Sequence, residues 1–175
     1  KNKGKKCIVW NDCLKGDGLN ADISIQQWQG TASKTALAAN GGHNIIMSPF
    51  SAYYVDYPYG MHPLSSSYSF EPERFRGLDS NGKKNISGVE SPIWTEHINN
   101  NERLEYMCFP RWFAVAETGW TDKQNKDYKA FYSVCRVLCD CYRSMGLNCA
   151  PESEWEKKNI FTRLKETICF FLPKK

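Results

Sequence analysis

Four short apolar runs along the chain predict β-strands. They lie at residues 7–10, 23–28, 43–48 and 86–94. The second run alternates apolar and polar residues from Ile23 to Trp28, which is the period of a half-buried strand, and Gly30 follows it. The third run stops at Pro49, which cannot donate a hydrogen bond to a sheet. Segments with helical periodicity separate or follow these runs.

The helical pattern is strongest between residues 124 and 145. Its apolar positions repeat with the i, i+3, i+4, i+7 spacing of one helix face: Tyr128, Phe131, Tyr132, Cys135, Leu138, Cys139, Tyr142 and Met145. An Ala-rich helix is predicted over residues 31–41, with Thr31 as its N-cap and Gly41 at its end. Residues 104–117 are also predicted to be helical, with a break at Pro110.

Two further segments are predicted with less regular patterns. Residues 50–75 are rich in tyrosine and phenylalanine and are predicted to form a long loop, a feature that is usually functional in a compact domain. Residues 151–175 predict another amphipathic helix, with its apolar positions at Phe161, Leu164, Ile168 and Phe171.

The order of these elements is typical of an α/β fold with parallel strands. Aromatic and acidic residues follow the carboxyl ends of the predicted strands, as they do in a doubly wound sheet or in a barrel. The sequence contains neither G-x-G-x-x-G nor G-x-x-x-x-G-K-[ST], so no nucleotide cofactor is predicted. Four strands are half of a (β/α)8 TIM barrel, which typically needs about 250 residues. The 175 residues therefore favour half a barrel.

The charge distribution argues against nucleic acid as a partner. The net charge is +4, but residues 1–6 contain four Lys, and residues 156–175 contain six Lys or Arg against two Glu. Residues 7–155 are therefore mildly acidic, whereas a surface that binds a polyanion is basic where the fold is. No apolar run is longer than five residues, as at residues 168–172, which is far too short to span a membrane. The first residue is Lys1, so we expect the start to be internal to a longer protein.

The eight cysteines are irregularly spaced and do not match a zinc motif. Cys135 and Cys139 fall on the apolar face of the predicted helix, so small core residues are the favoured interpretation. A disulfide, for example between Cys141 and Cys149, is the alternative. No metal and no cofactor are predicted, and reduced cysteines favour a reducing, cytoplasmic compartment, although the sequence does not determine the location.

Six residues near the predicted strand ends are candidates for one binding site: Trp10, Trp28, Tyr54, Asp56, Trp94 and Glu96. Tryptophan faces stack on the apolar faces of sugar rings, carboxylates accept hydrogen bonds from hydroxyl groups, and a phenol donates one. Each residue alone has a simpler interpretation, because a tryptophan is often part of a core, Asp56 fits a turn, and Glu96 fits a helix start. Their shared position at the strand ends favours a common site.

Several motifs of the chain resemble the catalytic domain of glycoside hydrolase family 20, the β-N-acetylhexosaminidases. They are I-Q-Q-W ending at Trp28, Y-V-D-Y from Tyr54, G-V-E-S-P-I-W-T-E ending at Glu96, and F-P-R-W-F-A-V-A-E-T-G-W-T over residues 109–121. The resemblance runs in order from about residue 7 to about residue 146. It implies a (β/α)8 barrel of which this chain is the C-terminal half, about strands 5–8, over residues 1–150. Residues 151–175 would be a helical, basic tail of unknown role.

The resemblance also implies a role for each candidate residue. Trp10, Trp28 and Trp94 match tryptophans that enclose the acetamido methyl group of the substrate. Tyr54 matches the catalytic tyrosine that hydrogen-bonds the acetamido carbonyl, and Asp56 and Glu96 match carboxylates that bind sugar hydroxyls. The substrates are β-linked N-acetylglucosaminides or N-acetylgalactosaminides, and the acetamido oxygen itself attacks the anomeric carbon.

One family feature is missing from the sequence. The family places an adjacent Asp-Glu pair after its fourth strand, and no Asp-Glu dipeptide occurs in the 175 residues. We therefore expect the upstream half of the same barrel to supply the pair, and this chain alone to be inactive. The alternative is a fragment without catalysis that binds carbohydrate or a partner protein. The sequence does not distinguish the two sugars, the leaving group, or the oligomeric state.

Overall fold

The computed structural model describes residues 3–16, 18–30, 32–156 and 159–172. The chain forms two compact units: one comprises Lys1–Phe50 and Glu71–Glu90, the other Ser51–Phe70 and Ser91–Lys175. Thr31, the expected N-cap, lies outside the described residues, as does part of the basic tail predicted from residue 151. The division at residue 150, between the barrel part and that tail, stays a prediction.

The regular elements alternate between strands and helices along the first unit and are helical in the second. The strands are β1 (Ile8–Trp10), β2 (Ser24–Gln27), β3 (Ile45–Met47) and β4 (Ile86–Val89). The α-helices are α1 (Ala32–Asn40), α2 (Phe50–Tyr53), α3 (Leu64–Ser69), α4 (Ser80–Lys84), α5 (Asn101–Cys108), α6 (Arg111–Trp120), α7 (Tyr128–Ser144), α8 (Glu152–Trp155) and α9 (Ile160–Phe171). Short 3-10 helices cover Asn11–Lys15, Thr95–His97 and Lys123–Asn125.

Each strand of the first unit pairs in parallel with the next strand along the chain, in the order β1-β2-β3-β4. Ile25 of β2 lies opposite Val9 of β1 and Ile45 of β3. The parallel arrangement and all the predicted strands are confirmed, although each strand is shorter than its apolar run. Because neighbouring strands run in the same direction, their carboxyl ends lie along one edge of the sheet.

The core of the first unit forms where α1 packs against the sheet. Ile25 and Ile45 are fully buried in the central strands, and Met47 is nearly so. Ala36 and Ala39 face inward from α1, which contacts β2. The helices that connect parallel strands pack on the sheet, so the central strands bury apolar side chains against them. The predicted Ala-rich helix is thus confirmed over the described residues.

The second unit has a core built on α7. Phe131, Cys135 and Cys139 of α7 are buried, as the periodicity predicted, and they pack with the buried side chains of Tyr68 and Trp155. The Asp127 carboxylate caps the helix, because it accepts hydrogen bonds from the backbone N–H groups of residues 129 and 130. Cys135 and Cys139 therefore act as small core residues, and none of the eight cysteines, all of which lie among the described residues, forms a disulfide.

The segment 50–75, predicted as one long loop, contains the helices α2 and α3. The sequence of α3, Leu64 to Ser69, is rich in serine and has weak helical propensity, so its pattern did not indicate a helix. Tertiary contacts stabilise it: Leu64 and Tyr68 are buried, and the Ser67 hydroxyl donates a 2.6 Å hydrogen bond to the carbonyl of Ala52. Packing has overridden local propensity here.

The prediction of which helix face is buried in residues 151–175 is wrong. The segment forms two helices, α8 and α9, and the side chains expected on the buried face of α9 are exposed by 81% at Phe161 and 61% at Phe171. The helix instead buries Phe170, which is only 8% exposed. The break predicted at Pro110 is confirmed, since this residue separates α5 from α6. Within the described part of the chain, no helix is long and apolar enough to cross a membrane.

Candidate active site

The first unit brings two of the predicted tryptophans together. Trp10 is the last residue of β1 and Trp28 directly follows β2. Their rings meet edge to face, with centroids 6.3 Å apart and planes at 74°. Both side chains are half-buried. Because β1 and β2 are neighbouring parallel strands, their ends place the two indoles side by side and form an apolar wall at that edge of the sheet.

Two polar residues that the sequence analysis missed hold Trp28 in place. The indole N–H of Trp28 donates a 2.6 Å hydrogen bond to the carboxylate of Asp12, and its backbone N–H donates to the side-chain oxygen of Asn11. The hydrogen bond from the indole, with a smaller contribution from Lys15, lowers the pKa of Asp12. In the sequence, Asn11 and Asp12 directly follow the first predicted strand. That position indicates only where the strand ends and does not indicate a contact with Trp28.

A hydrogen-bond network joins the ends of the other strands. The side-chain amide of Gln26 donates to the Ser48 hydroxyl over 2.9 Å and to the Glu90 carboxylate over 2.5 Å. Gln26 lies on β2, Ser48 directly follows β3, and Glu90 directly follows β4. Gln26 and Ser48 are buried, so their polar atoms need these partners. The network fixes the spacing of the strand ends near the indole pair.

In the second unit, the segment that contains Tyr54 and Asp56 is buried and is held by one arginine. Arg111 is fully buried and donates hydrogen bonds to the carbonyls of Val55, Tyr57 and His62. Its guanidinium group also lies 4.1 Å from the ring centroid of Tyr59. A planar guanidinium with several donors suits a set of converging carbonyls. Arg111 therefore shapes the loop of the candidate site.

His62 supports the backbone of Tyr54. Its Nδ1 atom lies 3.0 Å from the Tyr54 carbonyl oxygen, and its ring packs against the ring of Tyr57. Burial lowers the pKa of His62 to about 4, so the imidazole is neutral near pH 7 and donates from Nδ1 to the carbonyl. His62 therefore supports the loop from Tyr54 to Tyr57.

Asp56 is a buried carboxyl group with an unsatisfied oxygen. Its side chain is 5% exposed, and Oδ1 has no hydrogen-bond partner among the described residues. Burial raises the pKa of Asp56 to about 6, and the negative charge of Glu96 adds to this effect. Its own backbone N–H, the Arg111 charge and the backbone N–H of Trp94 act in the opposite direction. The carboxyl therefore lies close to Trp94 and Glu96.

Backbone and side-chain contacts join this loop to the segment that contains Trp94. The Ser91 hydroxyl donates a 2.7 Å hydrogen bond to the carbonyl of Tyr53, and the Val55 N–H donates to the Pro92 carbonyl over 3.3 Å. The Trp94 side chain is 44% exposed, and Glu96 is exposed in the 3-10 helix that follows it. An exposed indole beside two carboxylates combines a flat apolar surface with hydrogen-bond acceptors.

The sequence profile described as "Glycosyl hydrolase family 20, catalytic domain" matches residues 1–123. The match covers more than half of the chain. This protein belongs to glycoside hydrolase family 20. The resemblance drawn from the sequence motifs is therefore confirmed, and the α/β fold with a parallel sheet is that of part of a (β/α)8 barrel.

Individual members of family 20 give the same picture. The chain is 32% identical to a β-hexosaminidase of Porphyromonas gingivalis over 147 residues, which are 77% of this chain and 18% of that protein. Its fold matches the crystal structure of an exo β-N-acetylglucosaminidase from Vibrio harveyi in complex with N-acetylglucosamine, with a TM-score of 0.77 and 26% identity over 89% of this chain and 26% of that one. The chain also matches the β-N-acetylhexosaminidase structure from Streptomyces coelicolor A3(2), with a TM-score of 0.80 and 23% identity. The match covers 90% of this chain and 35% of that one, and at this identity it supports the fold alone.

The chain thus spans about a fifth to a third of the family 20 proteins that it matches. Within its two units, the structure groups the six predicted site residues into two sets. Trp10 and Trp28 lie together in the first unit, and Tyr54, Asp56, Trp94 and Glu96 lie on two adjoining segments of the second. Their roles toward a sugar stay predictions.

Proposed function

We propose that this chain forms the sugar pocket of a β-N-acetylhexosaminidase, which hydrolyses terminal non-reducing N-acetylhexosamine residues of β-glycosides. Membership of glycoside hydrolase family 20 and the names of the relatives support this activity. The observation that favours it most is the buried Asp56 carboxyl, which has an unsatisfied oxygen next to Glu96 and an exposed indole. A buried acceptor without a partner costs free energy unless a ligand supplies the donor. A sugar hydroxyl is such a donor.

The proposed mechanism uses the substrate's own acetamido group as the nucleophile. Its carbonyl oxygen attacks the anomeric carbon while the glycosidic C–O bond breaks and the leaving oxygen takes a proton from the general acid. Water then opens the cyclic intermediate, with overall retention of configuration. Tyr54 donates a hydrogen bond to the acetamido group as charge develops on it, and a dry environment strengthens this effect. Trp10 and Trp28, whose rings meet at the ends of β1 and β2, form an apolar wall for the methyl group and thereby keep the tethered nucleophile aligned.

The general acid must come from outside this sequence, because it has no Asp-Glu dipeptide. We propose that an upstream part of the same barrel supplies the pair, as the short coverage of the relatives suggests. The parallel sheet described here supports this partner, since β1 and β4 each have one edge without a strand partner among the described residues. Unpaired edges are usually covered in natural proteins. The 175 residues alone would then bind sugar weakly and would not hydrolyse it.

The proposed activity is tested by measuring glycoside hydrolysis with the whole natural protein, isolated from its source. We expect cleavage of p-nitrophenyl β-N-acetylglucosaminide or of its galacto counterpart. The p-nitrophenyl β-glucoside, which lacks the acetamido group, is the control substrate and should not be cleaved. Cleavage of all three at similar rates would contradict the substrate-assisted mechanism. Binding of an N-acetylglucosamine thiazoline without any hydrolysis would favour the alternative, a carbohydrate-binding fragment without catalysis.

A further inference from the structure

Helix α9 packs onto the loop that contains Asp56, and the contact is centred on Gly60. The Arg163 side chain donates a 2.9 Å hydrogen bond to the Gly60 carbonyl, and the Gly60 N–H donates to the Glu166 carboxylate over 3.1 Å. Arg163 and Glu166 are one helical turn apart, so they lie on the same face of α9. A Cβ atom at Gly60 would lie 2.2 Å from a Glu166 carboxylate oxygen, so the Glu166 side chain would have to move to admit one.

The same helix face places an aromatic ring against the two residues that follow the site carboxylates in the chain. The Phe170 ring lies 5.0 Å from the ring of Tyr57 and 4.0 Å from that of His97, measured between centroids. Tyr57 follows Asp56 in the chain, and His97 follows Glu96. One buried side chain thus touches the neighbour of each carboxylate and connects the two segments that contain them.

The contact between α9 and the loop is selective. Phe170 is only 8% exposed, whereas Phe161, on the same helix, is 81% exposed. The family profile ends at residue 123, so α9 lies beyond the part of the chain that the profile matches. The helix therefore buries the Phe170 ring at the candidate site, whereas the Phe171 ring, with its centroid 6.3 Å from that of Tyr57, stays 61% exposed.

We propose that Phe170 is a positioning residue, which holds Asp56 and Glu96 at a fixed separation by packing between Tyr57 and His97. This inference rests on the proposed function, because the two carboxylates are taken to bind the sugar. Phe170 does not touch the substrate and acts through its two aromatic neighbours. Small displacements of binding groups have large effects on affinity and rate, so a loosened pair should bind the hydroxyls less well.

The first experiment compares Phe170→Ala with Phe161→Ala in the protein as its source makes it. The control removes the same ring from the same helix at an exposed position. We expect Phe170→Ala to raise KM for p-nitrophenyl β-N-acetylglucosaminide by about tenfold while kcat changes by less than about threefold, the pattern of lost ground-state and transition-state binding together. Phe170→Tyr, which keeps the ring, should restore most of the affinity, and Phe161→Ala should behave like the wild type.

Hydrogen exchange provides a second measurement that needs no sugar. In Phe170→Ala the amides of residues 54–62 and 95–98 should exchange faster, while those of the β-sheet stay protected. A wild-type KM in Phe170→Ala, or an equal rise in Phe161→Ala, would overturn the inference. If the wild type neither binds nor hydrolyses an N-acetylhexosaminide, the proposed function fails. The positioning role of Phe170 is then tested by hydrogen exchange in residues 54–62 and 95–98 alone. Unchanged protection in Phe170→Ala would then overturn it.

Discussion

Replacing Asp56 with asparagine should stabilise the protein near neutral pH while it weakens sugar binding. The carboxyl group is 5% exposed, and burial raises its pKa from the ordinary 3.8 to about 6. The folded protein therefore binds this proton more tightly than the unfolded chain does. The resulting stabilisation is fully present below about pH 4 and is lost as the pH rises through about 6. An amide has nearly the same shape and does not titrate, so Asp56→Asn removes this pH dependence.

The size of the effect follows from the two pKa values of Asp56. The difference between 3.8 in the unfolded chain and about 6 in the folded protein corresponds to about 3 kcal/mol of lost stability at pH 7. We therefore expect Asp56→Asn to be more stable than the wild type by up to about 3 kcal/mol at pH 7 and to be nearly equal to it at pH 4.

Urea denaturation at pH 4 and at pH 7 measures the two free energies of unfolding. Asp122→Asn is a matched control, since Asp122 is exposed and its side chain makes no capping hydrogen bond. The control should show no comparable gain in stability between the two pH values. An Asp56→Asn variant that is less stable than the wild type at pH 7, or that differs from it equally at both pH values, would refute the argument that burial governs this carboxyl.

Three further substitutions test the site. Arg111→Ala should cost about 3–5 kcal/mol of stability, because several buried carbonyls lose their donor. Arg136→Ala, at an exposed ion pair, should cost much less. Equal losses of stability in thermal or urea denaturation would contradict the role given to Arg111. In the protein that includes the upstream half of the barrel, Tyr54→Phe should lower kcat on a β-N-acetylglucosaminide by about 10²–10³, and an unchanged kcat would exclude Tyr54 from the chemistry. Glu96→Gln should weaken sugar binding, measured by calorimetry, while circular dichroism shows an intact fold. The control Glu73→Gln, at an exposed position, should change neither the sugar affinity nor the fold. Loss of folding in Glu96→Gln would show that Glu96 is a structural residue instead.

The buried charges explain why these substitutions should differ. Arg111 and Asp56 are both buried in the second unit, and the arginine charge lowers the pKa of the carboxyl. Arg111 has carbonyl partners for its donors, so its removal leaves acceptors unsatisfied. Asp56 has an oxygen without a partner, so its removal relieves a cost that binding of a ligand would also relieve. The buried charge with a full set of hydrogen bonds, Arg111, therefore has a structural role, whereas the buried carboxyl with an incomplete set, Asp56, is the one that a ligand can complete.

Much of the fold was predictable from local pattern. The four strands, the Ala-rich helix and the stripe of α7 depend on periods of two and 3.6 residues, which the sequence shows directly. The break at Pro110 follows from the chemistry of one residue. The family motifs identified Tyr54, Asp56, Trp94 and Glu96 as candidates because these residue types recur in a fixed order.

Other features depend on contacts between distant parts of the chain. The serine-rich helix α3 exists because Leu64 and Tyr68 are buried against other elements, and no local propensity indicates it. Asn11 and Asp12 orient Trp28 across a turn between neighbouring strands. Such hydrogen bonds join residues that are remote in sequence, so they follow from the packing of the elements and not from the pattern within any one of them.

The sequence by itself determined the α/β class, the parallel strand order and the family, since each rests on periodicity or on ordered motifs. Only the tertiary structure decided which face of α9 is buried. Its sequence presents one stripe with Phe161 and another with Phe170, and hydropathy alone favours the first. The second is buried because Gly60 admits the polar pair of Arg163 and Glu166, which brings Phe170 between two aromatic rings. A helix buries the face that finds a complementary surface, and that surface lies elsewhere in the chain.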